Sequence, residues 1–312
     1  MAGTFTHWMI VEDALERYRK SGRKHPYFSV VLGFNHFVNL GAVGPDYPYL
    51  TDLKSAMLKV HTWADRMHYE NTGELVKAAA AGLLNRKDEE FEICLAWLCG
   101  FVTHVIADSV VHPVVNAIVG PYLFNSSEHR HCEMIQDSFI FREIKNTELR
   151  YSDYVEILGM CSDPDDNERI HPAIKTFWEG ALQRSHPGGT DRFDRIQPDE
   201  WHENFLSRIS VAEEMPIPVF RHIGEETNLV YKRVEDFDPE ERRIFVQEVQ
   251  LPGGRKGRFR EDVFDKAVAA VVDVWHRLFV DIEKRNLAGL DSYIRNWNLD
   301  TGVDEEKIHF WS

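Results

Sequence analysis

Apolar residues recur at three- and four-residue steps over residues 7–20 (Ile10, Val11, Ala14, Leu15, Tyr18), which predicts a helix with one buried face. A turn at 21–26 ends it. Residues 27–41 are apolar and lead into NLGAVGPDYPYL, where Gly41, Gly44, Pro45 and Pro48 predict an irregular loop. A helix is expected over 51–67 with Thr51 as its N-cap, then a turn at HYENTG (68–73). ELVKAAAAGLLN (74–85) is a helix by propensity. Residues 88–112 open acidic and continue apolar, and Pro113 should end or kink that helix. Another helix is expected over 126–147.

The second half is less regular. Helices are expected at 171–185, 197–211 and 261–286, with short pieces at 149–160 and 288–297. IFVQEVQLPGGRKGRFR (244–260) reads as a hairpin around Pro252-Gly253-Gly254. Strands do not alternate with helices and no repeat is evident, so the expected class is all-α, with any parallel sheet disfavoured. The expected division is a helical core over 1–150 and a mostly helical extension over 151–312, either separate or packed into the same domain.

Composition narrows the classes. The 312 residues are 43 % hydrophobic and 28 % charged, ordinary for a globular protein. The net charge of −15 opposes binding to duplex nucleic acid or an anionic bilayer, both driven by Lys and Arg. Four cysteines without a CxxC pair imply no disulfide framework, and Cys94 and Cys99 read as buried thiols. The start, MAGTFTHWMIVEDALERY, lacks the basic and continuous apolar regions of a signal peptide, so a cytoplasmic protein is expected. LAWLCGFVTHVIA is too short to span a bilayer and carries His104, so no transmembrane segment is expected. RKGRFR (255–260) reads as a solvated loop or a phosphate clamp. DEWHENF (199–205) and HIGEETN (222–228) read as surface or interface features.

Histidine changes the picture. There are 15, nine of them by residue 131. In GFVTHVIADSVVHPVV, His104, Asp108 and His112 follow at i, i+4, i+8, so they share one helix face, and that face is otherwise apolar. Burying Asp108 without compensation is expensive, and a cation would supply it. His104 and Asp108 rise about 6 Å apart and can reach one ion, whereas His104 and His112 rise about 12 Å apart and cannot. All three as ligands therefore require at least two ions, with Asp108 suited to bridge. In HRHCEMIQD, His129 and Glu133 repeat the i, i+4 spacing, and Asp137 continues the face, either as a group to orient a ligating imidazole or as a solvated helix acid. Asp46 in its Gly/Pro-bound loop and His68 at the edge of the 74–85 helix offer ligands from outside, with His61 and His131 as competitors for His68 and His129. Trp8, Trp63 and Phe101 either line a cleft or belong to the core. An HD-type phosphohydrolase is disfavoured, because the chain has no His-Asp dipeptide.

Five ordered pieces, HWMIVEDAL, LGAVGPD, MHYENTG, GFVTHVIADSVVHP and HRHCEMIQD, resemble the zinc-dependent phospholipase C family, whose superfamily includes single-strand-specific zinc nucleases. The resemblance covers about residues 4–140. It implies an all-α enzyme with two or three zinc ions in a cleft. Carried over, it implies one ion on Asp46, His68, His104 and Asp108, and a second on His112, His129 and Glu133. A third would use His7 and Asp108. Family members complete that third site with an N-terminal tryptophan, but Met1 lies six residues before His7 here and no Trp precedes it.

The resemblance implies hydrolysis of a phosphate ester, a phospholipid headgroup or another phosphodiester, by metal-activated water, with Asp46 as ligand or general base. A nuclease or a small-molecule phosphatase would share this chemistry. A metal-stabilised interaction protein without turnover is the alternative from a different class.

Overall fold

The centre of the structure is one long helix that the rest of the chain encloses. The computed structural model describes residues 3–51, 62–149, 152–188, 195–214 and 231–312. In chain order the main helices are α1 (Thr4–Lys20), α2 (Pro26–Gly33), α3 (Asn35–Val43), α4 (Trp63–Tyr69), α5 (Thr72–Leu83), α6 (Asp88–Val119) and α7 (Tyr122–Lys145). They continue as α8 (Ser152–Gly159), α9 (Pro172–Ser185), α10 (Pro198–Glu214) and α11 (Asp265–Glu283). The class is mainly α, as expected. Strand structure among the described residues is two antiparallel hairpins, β1–β2 (Ser162–Asp163 and Asp166–Ile170) and β3–β4 (Val249–Gln250 and Lys256–Gly257).

Helix α6 is the axis. It packs against α1, α2, α3, α5, α7, α9 and α11, and residues 93–112 along it are all buried. By length and apolarity it could cross a membrane, but its most apolar stretch is wholly enclosed by protein. It also runs through Pro113 to Val119, seven residues beyond the expected end. Proline costs a helix interior about 3 kcal/mol. Burial of the flanking Val110, Val111, Val114 and Val115, at roughly 1.5–3 kcal/mol per side chain, outweighs that.

The glycines of NLGAVGPD act differently from the loop expectation. Helix α3 runs through Gly41 to Val43 and passes into a 3₁₀ turn, Gly44–Asp46, and a short helical turn, Tyr47–Thr51. A Cβ on Gly41 would lie 2.1 Å from the Trp97 carbonyl oxygen, and one on Gly100 would lie 2.0 Å from the Val38 carbonyl oxygen. The two glycines therefore let α3 and α6 cross backbone to backbone.

The expected 51–67 helix begins later among the described residues. Thr62 and Asp65 form a capping box that starts α4, and residues 52–61 lie outside the described chain. His61 and HIGEETN (222–228) also lie outside it.

The later residues complete the core. Helix α11 packs on both α6 and α1, and the Trp275 indole donates to the Cys99 carbonyl at 2.9 Å. In DEWHENF, Trp201, His202 and Phe205 are buried, against the surface expectation. Three of the four cations of RKGRFR are taken up by acids: Lys256 by Glu248, Arg258 by Glu261, and Arg260 by Asp13 and Asp265. That favours the plain surface reading over a phosphate clamp. All four cysteines are buried thiols.

Candidate metal centre

Five segments deliver the site. Helix α1 brings His7, the 3₁₀ turn brings Asp46, the last turn of α4 brings His68, and α6 brings His104, Asp108 and His112. Helix α7 adds His129 and Glu133. His68 thus ends one helix; it does not border the next, as its sequence context suggested. All eight side chains are buried.

Asp108 stands in the middle. One carboxylate oxygen faces His7 Nε2 and His112 Nε2, each at 3.3 Å. The other faces His104 Nε2 at 3.3 Å and His68 Nε2 at 3.6 Å. Asp46 Oδ1 lies 3.2 Å from His68 Nε2 and 4.0 Å from His104 Nε2. His7 stacks on His104, with ring centroids 4.2 Å apart and planes 13° from parallel.

Backbone carbonyls fix the ring tautomers. His68 Nδ1 donates to the Ala64 carbonyl at 2.7 Å, and His104 Nδ1 donates to the Ala42 carbonyl at 2.9 Å. The glycine crossing of α3 and α6 sets the reach of that second bond. With both Nδ1 atoms protonated, each neutral ring offers only a lone pair at Nε2, and these two Nε2 atoms sit 3.2 Å apart. His129 reverses the pattern. Its Nε2 donates to the Gly120 carbonyl at 2.6 Å, which leaves Nδ1 as the ligating atom, without a hydrogen-bond partner.

Acceptors facing acceptors at these distances are repulsive without a cation. The donor atoms gather within 4.8 Å in three sets: His68, His104 and Asp108; His7, Asp46 and His104; and His112, His129 and Glu133. Both ring nitrogens of His7 and of His112, and Asp46 Oδ1, are buried without hydrogen-bond partners. A nitrogen-and-carboxylate donor set of this kind suits zinc. The residues therefore fit the group that the resemblance implies.

The carboxylates stay ionised. Burial alone would push the Asp108 carboxyl up; positive charge on protonated His112, His104 and His7 pulls it well below the usual range, and a bound cation takes over that role where the rings are neutral. Burial likewise opposes ionisation of Asp46, and positive charge at His104, His68 and His7 again prevails.

Other expected residues take different places. Asp137 touches no ligating imidazole. It accepts from the Phe5 and Thr6 amides at 3.3 and 2.7 Å, from the Thr6 hydroxyl at 2.6 Å and from the Tyr231 hydroxyl at 2.9 Å. It therefore ties the first turn of α1, and so His7, to α7. A Cβ on Gly3 would lie 2.1 Å from that carboxylate, so the close approach requires glycine. Trp8, Trp63 and Phe101 are core, and the cleft-lining alternative falls. His131 faces Glu241 at 2.7 Å, away from the cluster.

Three features had no clear sequence signal. The carbonyls of Ala42, Ala64 and Gly120 orient ligand rings, and a carbonyl is carried by every residue. Tyr122 sets its ring edge-on to His129, with centroids 5.3 Å apart. Asp300, distant in sequence, brings Oδ1 to 3.8 Å from His112 Nδ1.

Comparison with known proteins adds one result. Neither the curated proteins nor the solved structures contain a match to the chain. The sequence profile described as zinc dependent phospholipase C matches residues 6–188, more than half of the chain and all eight clustered residues. The chain belongs to the zinc-dependent phospholipase C family.

Proposed function

We propose that the chain is a zinc-dependent phosphoric ester hydrolase of phospholipase C type, acting on the phosphodiester of a phospholipid. One observation carries the reading. Imidazole lone pairs and ionised carboxylates from five elements converge at a buried point where only a cation reconciles them. Bound zinc supplies a water acidified to near-neutral pKa and Lewis-acid positions for phosphoryl oxygens.

The chain's own residues divide the work. Asp46, His68, His104 and Asp108 form one ligand set, and His112, His129 and Glu133 form another. Asp108, with its two oxygens turned to different imidazole pairs, joins them. His7 extends the cluster beside Asp46 and His104. Asp46 Oδ1 is buried without a hydrogen-bond partner, 3.2 Å from His68 Nε2 and among the clustered donor atoms. The ligand role is therefore favoured over the general-base role.

The choice of a lipid diester rests on the surface beside the site. Leu123 and Phe124, directly after Tyr122, are 82 % and 79 % exposed. Such an apolar tip suits contact with acyl chains, whereas the net charge of −15 opposes a nucleic acid strand.

Elemental analysis and three substrates test the proposal. Two or more zinc ions per chain are expected, with turnover of phosphatidylcholine vesicles and of a soluble p-nitrophenyl phosphodiester. Single-stranded DNA is expected to remain intact. No bound zinc, or no hydrolysis of either diester by zinc-loaded protein, overturns the reading. Cleavage of DNA alone converts it to a nuclease.

A further inference from the structure

A ring that binds metal through one nitrogen carries a proton on the other. When that N–H is buried it must find an acceptor, and the acceptor sets the angle of the ring. His68, His104 and His129 each use a backbone carbonyl. His112 does not. Its Nε2 faces Asp108, and its Nδ1 is buried without a hydrogen-bond partner. The acid that faces that Nδ1 is Asp300, at 3.8 Å.

Asp300 is held there deliberately by several contacts. The Asn116 amide, one helical turn beyond His112, donates to the Asp300 main-chain carbonyl at 2.5 Å and to its Oδ1 at 3.3 Å. The Asp300 amide in turn donates to Asn298 Oδ1 at 3.1 Å. Next to it, the Leu299 amide donates to the main-chain carbonyl of His68 at 2.9 Å. The Trp311 indole donates to the Val110 carbonyl at 2.9 Å. Gly302 adopts a φ of +61°, and a Cβ there would lie 2.5 Å from the Ser109 carbonyl oxygen and 2.7 Å from the Pro113 ring. Residues 297–311 are thus laid against the backbones of α4 and α6 that carry His68, Asp108 and His112. They lie far outside the family match at 6–188.

We infer that Asp300 is a positioning residue for the metal centre: it accepts the Nδ1 proton of His112 and so directs His112 Nε2 toward the ion shared with His129 and Glu133. The inference rests on the proposed metal-ligand role of His112. The distance of 3.8 Å is longer than a hydrogen bond, so the inference requires the partly buried Asp300 side chain to rotate toward His112 when metal binds.

Metal binding, not turnover, is the test. Zinc affinity is measured by chelator competition, and the ligand field by the visible spectrum of the cobalt-substituted protein. Asp300→Ala is expected to weaken one ion by about 10–100-fold, the range for loss of a group that orients a ligand, and to change the cobalt spectrum. The remaining zinc should bind as in the wild type. Asp300→Asn keeps an acceptor oxygen and should restore most of the affinity; it also serves if the alanine variant does not fold. Nitrogen NMR of the wild-type ring should show His112 protonated at Nδ1 in the zinc-loaded state. Unchanged affinity and spectrum in Asp300→Ala, or a His112 ring ligating through Nδ1, overturns the inference while leaving the metal centre standing. A wild-type chain that binds no metal overturns both.

Discussion

At the scale of single residues, the site is decided by which nitrogen of each imidazole carries the proton. The Ala42, Ala64 and Gly120 carbonyls fix that choice without contributing a charge. Truncating a ligand should therefore cost more than losing one of these orienting partners. His104→Ala and Glu133→Gln are each expected to remove one zinc equivalent and to lower diester turnover at least ~100-fold. Far-ultraviolet circular dichroism should remain close to wild type. Retention of full zinc content by either variant counts against the assigned ligand set. A second buried histidine has a different role. His202 bonds to the Ser162 hydroxyl at 2.9 Å, and burial drags its pKa down to about 4. The folded state thus keeps this ring neutral where an unfolded chain, with a pKa near 6.5, would protonate it. The resulting stability is intact above pH ~6.5 and is lost as pH falls toward 4, by about 3 kcal/mol at most. Urea midpoints of the metal-stripped protein should fall more steeply over that window for wild type than for His202→Gln. Parallel curves would remove His202 as the cause.

At the scale of elements, the crossing of α3 and α6 is the joint on which the centre depends. Adding one methyl at Gly100 drives it against the Val38 carbonyl, and backbone cannot swing aside as a side chain can. Gly100→Ala is expected to destabilise the fold by about 1–3 kcal/mol, read as a lower melting temperature. It should also weaken zinc binding, because the His104 to Ala42 bond spans the same crossing. Unchanged melting and affinity would show that the two helices can separate at no cost. The same joint explains where sequence reasoning failed. Periodicity located α1, α9 and α11 within a few residues, and propensity located α5. Local rules see only chain conformation, so they make Gly41 and Pro113 breakers. In the fold, Gly41 is selected for contact with another helix, and Pro113 is held inside α6 by the valines around it. The β1–β2 hairpin escaped notice because SDPDDNERI carries no apolar alternation.

At the scale of the whole molecule, the chemistry was more legible than its surroundings. His104, Asp108 and His112 could be read as one surface because helix geometry alone places them there. His129 and Glu133 repeated the rule, Asp46 and His68 stood out by their loop and helix-edge positions, and the resemblance supplied His7 and the grouping of ligands into sites. What lies around the cluster is set by tertiary folding: Asp300 arrives from the far end of the chain, and Tyr122 reaches His129 only because α7 folds back after Gly120. The apolar tip follows from that same turn. Leu123 and Phe124 stand in the first turn of α7, between the tyrosine that touches His129 and the non-helical Asn125. Full burial of two such side chains is worth roughly 1.5–3 kcal/mol each, so even partial insertion changes adsorption more than tenfold. The double variant Leu123→Ser, Phe124→Ser should therefore lose vesicle sedimentation and phosphatidylcholine turnover by tenfold or more. Its rate on the soluble p-nitrophenyl phosphodiester should stay within about twofold of wild type, because neither residue contributes a donor atom to the cluster. A parallel loss on both substrates would place the tip in the catalytic geometry itself. No loss on either would mean that lipid reaches the centre by another face, and the exposed pair would then need a different occupant.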